Sequence, residues 1–416
     1  MKIDQILARE LFDSRGEPTI ECTVVLEDGT YVTSMVPSGS SKSSYEAFEL
    51  RDKGACHNGL GVHKAIENIH EIIAPALVGQ LPSVVELDLQ MIELDGTENK
   101  SRLGANAILA VSIAVLRAQA IVEELEDYEL IAHLCGYERV SLPFAMFNLI
   151  NGGLHAHNNL PIQEFLILPV GVESFRASVE IAASVFAKTK EILNKRGTFY
   201  GIGDEGGYSA IFKDEIEALD LIMQAITDLK LQEQVVLGLD VASSQLYDSK
   251  KERYMFGSRE YTTQELIEYY NQLSTKYPLY SIEDGLVEFD WTGWKSMTEQ
   301  LGERLQIVGD DLFATNPSRI AYGIEQNAAN AAIIKPNQIG TVTETLQAVK
   351  LCKDHDMNVV VSHRSGETND TFIVDLAVGT SAGQIKAGGF MRGERIAKYN
   401  RMLCIEEELM DGMLDF

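Results

Sequence analysis

Reactive side chains stand at the ends of successive apolar runs in the second half of this chain. From Glu283 onward they recur about every 25 positions, a length that fits one strand followed by one helix. The runs VVLGLD, YSIED, LQIVGDD, AAIIK, VVVSHR and GQIK carry Asp240, Glu283, Asp310, Lys335, His363 with Arg364, and Lys386. Such a diverse set at the carboxyl ends of strands is typical of the active site of a parallel β/α barrel. The alternative is that some of these residues are helix N-caps, where Asp and Glu are common.

Three of these residues form a candidate metal site beside a candidate base. Asp240, Glu283 and Asp310 end consecutive runs, and all-oxygen ligands favour a hard cation, Mg²⁺ first and Mn²⁺ as a substitute. Lys335 ends an otherwise apolar run, which is costly unless its ammonium is paired or its pKa is lowered. A cation held on the preceding strands would lower that pKa and make a neutral amine available as a base.

Two further segments offer contacts to a substrate. Arg364 can bind a phosphate or a carboxylate through two hydrogen bonds, and Ser365 adds hydroxyl and backbone donors. The glycine-flanked segment 203–207 holds Asp204 and Glu205, and a glutamate in such a loop can lie close to a substrate. Each segment by itself is also compatible with a solvated strand end or turn.

A histidine pair supports a rival hypothesis. His155 and His157 form an HxH motif near the first barrel strand, which also suits a zinc hydrolase. Such a site needs further histidines on later strands, but only His363 ends a later run, and His355 falls in a predicted helix. We therefore favour the carboxylate site.

The chain of 416 residues exceeds the usual size of one hydrophobic core and predicts two domains. Residues 19–26 and 31–36 predict a β-hairpin around a turn at 27–29. Helical patterns follow at 44–51, 62–77 and 105–124, so the first domain, residues 1–137, is expected to be a small α+β domain.

Residues 138–416 are expected to form the barrel, and its start is irregular. LPFAMFNLI and EFLILPVG are strand-like runs too close together for a helical crossover, so they predict two adjacent antiparallel strands. Helices are predicted at 175–195 and 215–229, before the regular strand and helix repeats. The fold class is therefore an irregular, TIM-like α/β barrel preceded by a small α+β domain.

Charge and composition exclude several classes of partner. The formal net charge of −27 argues against nucleic acid or an anionic membrane, because the long-range field repels both. An anionic substrate needs a local positive site, which divalent cations and the lysine and arginine at the strand ends could provide.

Five scattered cysteines without CxxC spacing suit reduced thiols. The N-terminus lacks the apolar core of a signal peptide, and the apolar stretch 103–122 is interpreted as a buried helix.

An ordered series of short segments runs along nearly the whole chain: DSRGEPT, PSGSS, ELRD, GTENKSRLGANAIL, NGGLHAHN, QEF, GDEGG, LDVASS, SIEDG, GDDLFATN, IKPNQIGT, SHRSGET, GQIK and AKYN. Taken together, these segments resemble the enolase family, of the bacterial type. The resemblance implies that Asp240, Glu283 and Asp310 hold a first Mg²⁺ and that Ser41, in a mobile loop, helps to hold a second.

The resemblance also implies catalytic roles. Lys335 would remove the α-proton of 2-phosphoglycerate, and Glu205 would protonate the departing hydroxyl. Glu164 and His155 would lie close by, and His363 would line the pocket. The residues implied to contact the substrate are Gln163, His155, Glu164, Arg364, Ser365 and Lys386.

The chain departs from the usual family pattern near the implied site. Lys42 and Ser43 stand where the mobile loop normally has small residues and a glycine. Residues 208–210 lack the usual Phe-Ala-Pro, and Gln245 and Asn369 replace glutamates. These changes affect loop closure and the surroundings of the site, while every implied catalytic residue is present.

The resemblance implies a cytoplasmic lyase with a phosphorylated small-molecule substrate, no nucleic acid partner and no membrane span. It also implies a homodimer, with an octamer as the alternative. Two other functions are the alternatives: a superfamily relative that performs racemisation or another dehydration, and an inactive homologue that acts as a binding or surface protein. GDEGG and SHRSGET argue against the first, and the complete catalytic set argues against the second. The absence of a C-terminal lysine also disfavours plasminogen-type binding.

Overall fold

The structure is a computed structural model that describes residues 1–40 and 42–414. Its first part is an antiparallel sheet in the order β1-β2-β3, covered by helices. The elements are β1 (Ile3–Phe12), β2 (Pro18–Leu26), β3 (Tyr31–Met35), α1 (His63–Asn68), α2 (Ala74–Leu77), α3 (Val84–Asp95), α4 (Ala105–Glu123) and α5 (Asp127–Cys135).

The predicted hairpin is confirmed as β2 and β3, which pair antiparallel from Glu21 opposite Met35 to Val25 opposite Tyr31. The structure adds β1, which pairs along the whole of β2 and which the charged N-terminal sequence did not predict. The predicted helix at 62–77 is confirmed as α1 and α2 joined by a π-helical turn at Ile69–Ile73. Helices α3 and α5 are also additions to the prediction.

The prediction of a helix at residues 44–51 was wrong. The segment is irregular or extended, and its backbone bonds to distant residues instead of to its own preceding turn. The Ala47 amide donates to the carbonyl of Gln338 at 2.7 Å, and the Phe48 amide donates to the carbonyl of Asn99 at 2.7 Å. Tertiary contacts therefore override the local helical pattern.

Helix α4 is the apolar stretch noted in the sequence. It is long and apolar enough to cross a membrane by length and composition alone, but 78% of its most apolar window is buried inside the protein. It packs against β2 and β3, so its burial is that of a core helix.

The second part is the predicted barrel, with α14 as its last helix. In chain order its elements are β4 (Phe144–Asn151), β5 (Glu164–Pro169), α6 (Phe175–Lys195), β6 (Tyr200–Ile202), β7 (Tyr208–Ala210), α7 (Glu215–Asp228), β8 (Val235–Asp240), β9 (Tyr247–Asp248), β10 (Arg253–Phe256), β11 (Arg259–Tyr261), α8 (Thr263–Lys276), β12 (Leu279–Glu283), α9 (Trp291–Leu301), β13 (Gln306–Gly309), α10 (Pro317–Gln326), β14 (Ala331–Ile334), α11 (Pro336–Ile339), α12 (Val342–Asp354), β15 (Asn358–Ser362), α13 (Phe372–Gly379), β16 (Gly383–Gly388) and α14 (Gly393–Leu414).

Within this described part of the chain, eight strands close the barrel in the order β4-β5-β8-β12-β13-β14-β15-β16, and β16 pairs back to β4. As predicted from their close spacing, β4 and β5 are antiparallel, and β5 is also antiparallel to β8. The barrel strands β8, β12, β13, β14, β15 and β16 each pair in parallel with the next one in this order, which brings their carboxyl ends to one face. We propose that the two domains divide near Glu138, between α5 and β4.

The helix-cap alternative for the strand-end carboxylates is not what the structure shows. The helices that follow β12 and β13 are capped by the side chains of Asp290 and Asn316, several residues beyond Glu283 and Asp310. The strand-end side chains are therefore available to point into the mouth of the barrel.

A buried carboxylate joins the two parts of the protein and makes its stability depend on pH. Asp88 in α3 accepts hydrogen bonds from the amide (2.9 Å) and the hydroxyl (2.7 Å) of Thr343 in α12. Burial raises the pKa of Asp88 from 3.8 to about 6. Because the folded state holds this proton more tightly than the unfolded state, the stability it contributes is full below about pH 4 and is lost as the pH rises through about 6.

We therefore expect Asp88→Asn to gain stability over the natural protein as the pH rises. The free energy of unfolding of Asp88→Asn minus that of the natural protein should increase by about 1.5 kcal/mol from pH 5 to pH 7.5. A shift of two pKa units corresponds to roughly 3 kcal/mol, and part of it falls within this pH range. Urea unfolding at the two pH values measures it. A difference that stays constant or narrows would contradict the assignment.

Candidate active site

Asp240 and Glu283 lie side by side at the mouth of the barrel. They end the parallel neighbours β8 and β12 and are paired in register, and Asp310 directly follows β13, the next strand. All three are buried. The structure thus brings together the three carboxylates predicted from their positions at strand ends.

The ammonium of Lys386 reaches from β16 to these carboxylates. Its Nζ lies 3.0 Å from Asp240 Oδ2, 2.8 Å from Glu283 Oε2 and 3.2 Å from Glu164 Oε1. Burial disfavours the charged form of Lys386, but Asp240 and the neighbouring carboxylates outweigh it and hold the pKa of Lys386 well above its ordinary value. Lys386 is therefore a fixed positive charge that offsets part of the repulsion among the acids.

The donor set fits a hard divalent cation. Glu283 Oε1 is buried and has no hydrogen-bond partner among the described residues. Burial, followed by the charge of Asp240, raises the pKa of Glu283 to about 8, so its ionised form lacks sufficient positive charge around it. An oxygen that is buried, unpaired and adjacent to a second carboxylate is what Mg²⁺ binding requires.

Asp284 is a buried carboxylate of the candidate site that was not predicted from the sequence, although it directly follows Glu283. Both of its carboxylate oxygens accept backbone amides at 2.9 Å, one from Asp310 and one from Asp311. Asp284, Asp310 and Asp311 also lie close enough to share an ion. Because the Asp284 oxygens are engaged with the backbone, its evident effect is to orient the turn that carries Asp310.

The candidate base, Lys335, follows β14 and forms an ion pair with Asp310. Burial favours the neutral amine, but Asp310 outweighs burial and raises the pKa of Lys335. From the sequence, a cation on the neighbouring strands was expected to lower this pKa, whereas the pairing with Asp310 raises it. Gln338, which the sequence did not single out, donates to Asp310 Oδ1 at 2.9 Å and accepts from Thr315, whose hydroxyl oxygen accepts the Lys335 amide at 2.8 Å.

The candidate acid, Glu205, lies in the turn between β6 and β7 and is buried. It accepts hydrogen bonds from the side-chain amides of Asn148 at 3.0 Å and Asn151 at 3.3 Å. His155 Nδ1 lies 3.0 Å from Glu205 Oε2, and His155, Glu164 and Glu205 have side-chain atoms within 4.8 Å of one another. These acids and the imidazole therefore form one buried cluster.

The two glutamates of this cluster have opposite tendencies to hold a proton. Burial, followed by the charge of Glu205, raises the pKa of Glu164 well above its ordinary value. Burial also acts to raise the pKa of Glu205, but its contact with His155 outweighs burial and lowers that pKa. At neutral pH the pair is expected to share one proton, held mainly by Glu164.

The rival hypothesis of a zinc site at His155 and His157 finds no support among the described residues. His155 is buried in the acid cluster, whereas His157 is exposed and, among the described residues, belongs to no group of potential metal ligands. His155 ends the short 3₁₀ turn Gly153–His155 and points into the protein, whereas His157 lies beyond the turn and is exposed to solvent.

The segment after β15 meets the loop of the first domain. Arg364 donates to both carboxylate oxygens of Glu46, at 3.2 and 3.1 Å, and to Asn337 Oδ1 at 2.9 Å. Ser365 Oγ accepts the Ser40 amide at 2.8 Å. Neither Glu46 nor Asn337 was predicted as part of the site, because their partners are distant in sequence.

A glycine allows this close approach. A Cβ atom on Gly39 would lie 1.8 Å from Arg364 Nη2, so no other residue fits there without moving the guanidinium. Ser41, predicted to hold a second metal ion, lies outside the described residues. Its neighbour Lys42 pairs with Glu49, and Ser43 Oγ donates to Glu288 and, at 3.0 Å, to the carbonyl of Asp311.

Gln163 lies between a metal-site carboxylate and one of the sequence departures. Its side-chain amide donates to Asp240 Oδ2 at 3.3 Å, and its carbonyl oxygen accepts from Gln245 Nε2 at 3.0 Å. Gln245 therefore fixes the orientation of the Gln163 amide, which a glutamate at that position could not do in the same way because it has no donor.

Several of these side chains line one small cavity at the mouth of the barrel. Its lining contains a lysine that is paired with Asp310, two neighbouring glutamates, and an arginine with a serine. The lining residues are His155, Gln163, Glu164, Glu205, Asp240, Lys335, Ser362, His363, Arg364, Ser365 and Lys386. Side chains arranged around a cavity in this way can remove a proton from one substrate atom and protonate a leaving group on another.

Two family profiles match this chain. The family described as "Enolase, N-terminal domain" matches residues 3–131. The family described as "Enolase, C-terminal TIM barrel domain" matches residues 139–414. The two matches together span nearly the whole chain. The first covers the three-stranded sheet with its helices, and the second covers the barrel.

Proposed function

The chain belongs to the enolase family and is a carbon–oxygen lyase, and we propose that it interconverts 2-phospho-D-glycerate and phosphoenolpyruvate plus water with Mg²⁺ as cofactor. The observation that carries the proposal is the single cavity lined by Lys335, by the Glu205 and Glu164 pair, and by Arg364 with Ser365. These groups supply a base, a proton donor and an anion-binding pair within reach of one small molecule.

Asp240, Glu283 and Asp310 would hold the first Mg²⁺, and Ser41 would help to hold the second. Bound there, Mg²⁺ supplies positive charge for the substrate carboxylate and offsets the Asp310 charge that raises the pKa of Lys335. Asp284 and Gln338 would keep Asp310 oriented through the hydrogen bonds described above.

Lys335, as a neutral amine, takes the proton from C2 of 2-phosphoglycerate. The electrons of the broken C–H bond form the enolate of the substrate carboxylate, whose charge is stabilised by nearby positive groups that include Lys386. The enolate electrons then form the C2–C3 double bond as the C3 hydroxyl leaves. Glu205 donates the proton that converts the leaving group into water.

Glu205 must carry a proton when the hydroxyl leaves, and Glu164 is the source that its surroundings favour. The raised pKa of Glu164 keeps a proton within the pair, and entry of a substrate hydroxyl beside Glu205 allows that proton to transfer. His155, 3.0 Å from Glu205, orients the carboxyl group. Gln163, Arg364 and Ser365 would bind the substrate, and His363 lines the same cavity.

The direct test is absorbance of phosphoenolpyruvate formed from 2-phosphoglycerate, with Mg²⁺ and after its removal by a chelator. We expect turnover that requires Mg²⁺ and returns when it is restored. No product in saturating Mg²⁺ would contradict the proposed reaction. Racemisation of other carboxylate substrates would then be the next reaction to assay.

We infer that the protein is cytoplasmic and acts as a homodimer, as the enolase family implies. The partner that the site itself supports is a phosphorylated small molecule. Arg364 is buried at the edge of the cavity, and its guanidinium, which binds both oxygens of the Glu46 carboxylate in this structure, would bind an anionic group of the substrate in the same paired manner.

The loop around Ser41 is expected to weaken binding of the second Mg²⁺. Closure of such a loop needs residues that tolerate changes of φ and ψ, and Ser43 stands where a glycine is usual. Lys42 adds a positive charge next to Ser41, although its pairing with Glu49 offsets part of that charge. We predict that Lys42→Thr combined with Ser43→Gly lowers the Mg²⁺ concentration for half-maximal activity by roughly threefold or more. A threefold change corresponds to about half of the 1.4 kcal/mol of binding free energy that a tenfold change represents.

A Mg²⁺ titration of initial rate in both proteins measures this effect. Lys350→Thr, a change of an exposed lysine in α12, is the matched control for loss of a positive charge. A double variant that needs as much Mg²⁺ as the natural protein, or more, would contradict the prediction.

A further inference from the structure

Arg395 in α14 is one of the largest side chains that the fold buries completely. Its guanidinium contacts the two loops that carry the acid and the substrate-binding arginine. Nη1 lies 2.5 Å from His363 Nδ1 and donates to the carbonyl of Arg364 at 2.6 Å. Nη2 donates to the carbonyls of Asp204 at 3.0 Å and Ser365 at 2.7 Å. One side chain therefore contacts the three consecutive residues 363–365 and also Asp204, in the turn that carries Glu205.

Burial of this charge is costly and needs compensation. Among the described residues, Arg395 forms an ion pair with Glu394, whose Oε1 lies 3.4 Å from Nε. The other contacts of the Arg395 guanidinium are with neutral acceptors. A buried guanidinium held mainly by carbonyl oxygens contributes less to stability than a well-packed apolar residue of similar size would. The arrangement therefore points to a role in organising the groups that it contacts.

The contact with His363 determines where that imidazole carries its proton. A guanidinium has donors only, so His363 Nδ1 must accept, and the single proton of the neutral ring lies on Nε2. Burial, followed by the charge of Arg395, lowers the pKa of His363 well below its ordinary value, which keeps the ring neutral. Nε2 has no hydrogen-bond partner among the described residues and lies 3.8 Å from Glu205 Oε1.

We propose that Arg395 is a positioning residue that holds His363 as the neutral Nε2–H tautomer, so that this N–H donates to a substrate oxygen beside Glu205. The three carbonyl contacts hold the Glu205 turn against the segment 363–365, which fixes the distance between the acid and the anion-binding groups. This inference rests on the proposed function for the identity of the substrate, but the tautomer can be measured without turnover.

The first test uses the natural protein labelled with ¹⁵N-histidine. Nuclear magnetic resonance should show His363 with an unprotonated, hydrogen-bonded Nδ1 and a protonated Nε2 between pH 6 and pH 8.5. The signal is assigned by its absence in His363→Gln. A ring protonated at Nδ1 alone, or one that becomes doubly protonated within this range, would overturn the proposal even if the enzyme is fully active.

The second test replaces Arg395 with lysine, which keeps the charge but cannot bridge the imidazole and three carbonyls. We expect His363 to become a mixture of tautomers and kcat to fall about 100-fold, with a smaller change in KM, because misplacement of a catalytic group by about 1 Å has an effect of this size. Retention of the natural tautomer with kcat within twofold would overturn the proposal.

Arg401→Lys is the matched control. Arg401 lies on the same helix and pairs with Asp375 and Glu126, away from the cavity, so this variant should lose comparable ion pairing without a change in the His363 signal. If both variants lose activity in proportion to their loss of melting temperature, the role of Arg395 is structural only. If 2-phosphoglycerate is not a substrate but the tautomer shifts as expected, the proposed reaction fails and the positioning role stands.

Discussion

Replacement of Lys335 with alanine is expected to abolish both exchange of the substrate α-proton with solvent deuterium and dehydration, with a loss of about 10⁴-fold in kcat. This loss is the upper end of what a positioned general base contributes. Lys335 lines the cavity and is held by Asp310. Among the described residues, Lys386 is the other lysine that lines this cavity, and it is already engaged by three carboxylates, so it is not expected to replace Lys335. Proton exchange measured by nuclear magnetic resonance and product absorbance give the two rates separately.

Glu205→Gln separates the acid from the base. This variant should retain measurable α-proton exchange and lose dehydration, because the amide keeps the hydrogen-bonding shape but cannot donate the proton that the hydroxyl needs. The opposite result, exchange retained in Lys335→Ala and lost in Glu205→Gln, would reverse the two assignments. Lys350→Ala, which removes an exposed lysine, is the control for general effects of charge.

Removal of a metal-site carboxylate is expected to have a comparable effect. Asp240→Asn, Glu283→Gln and Asp310→Asn should each lower kcat by at least about 10³-fold, since each supplies charge to a site that must stabilise a dianionic intermediate. Calorimetric titration with Mg²⁺ should show weakened binding in each variant. Full activity of any one of them at the Mg²⁺ concentration that suits the natural protein would contradict the metal assignment.

The three variants should differ in stability. Repulsion among the carboxylates alone predicts that each replacement leaves the protein as stable as before or more so. The structure changes this expectation for Asp310, because its loss leaves the buried ammonium of Lys335 without its ion-pair partner. Asp240→Asn leaves Lys386 in contact with Glu283 and Glu164. The melting temperature of Asp310→Asn should therefore be lower than that of Asp240→Asn.

The elements of the barrel were predictable because their physical signals are local. Apolar runs separated by about 25 residues indicate buried strands joined by helices, and the two closely spaced runs at 142–150 and 164–171 indicate an antiparallel start. Both predictions were confirmed. The helix at 44–51 was predicted by the same kind of local pattern and was wrong, because the amides of Ala47 and Phe48 find partners in distant segments.

The amino-acid sequence by itself determined which residues stand at the carboxyl ends of the strands, and hence the acids, the lysines and the arginine that share one mouth of the barrel. Parallel strands bring their ends to the same edge whatever the loops do. Only the tertiary structure decided which of these groups pair. Glu46 meets Arg364 across 318 positions of sequence, and Lys386 on β16 reaches Asp240 on β8. The direction of each pKa shift depends on these contacts, because burial and the nearest charge together set it, and neither can be deduced from the position of a residue along the chain.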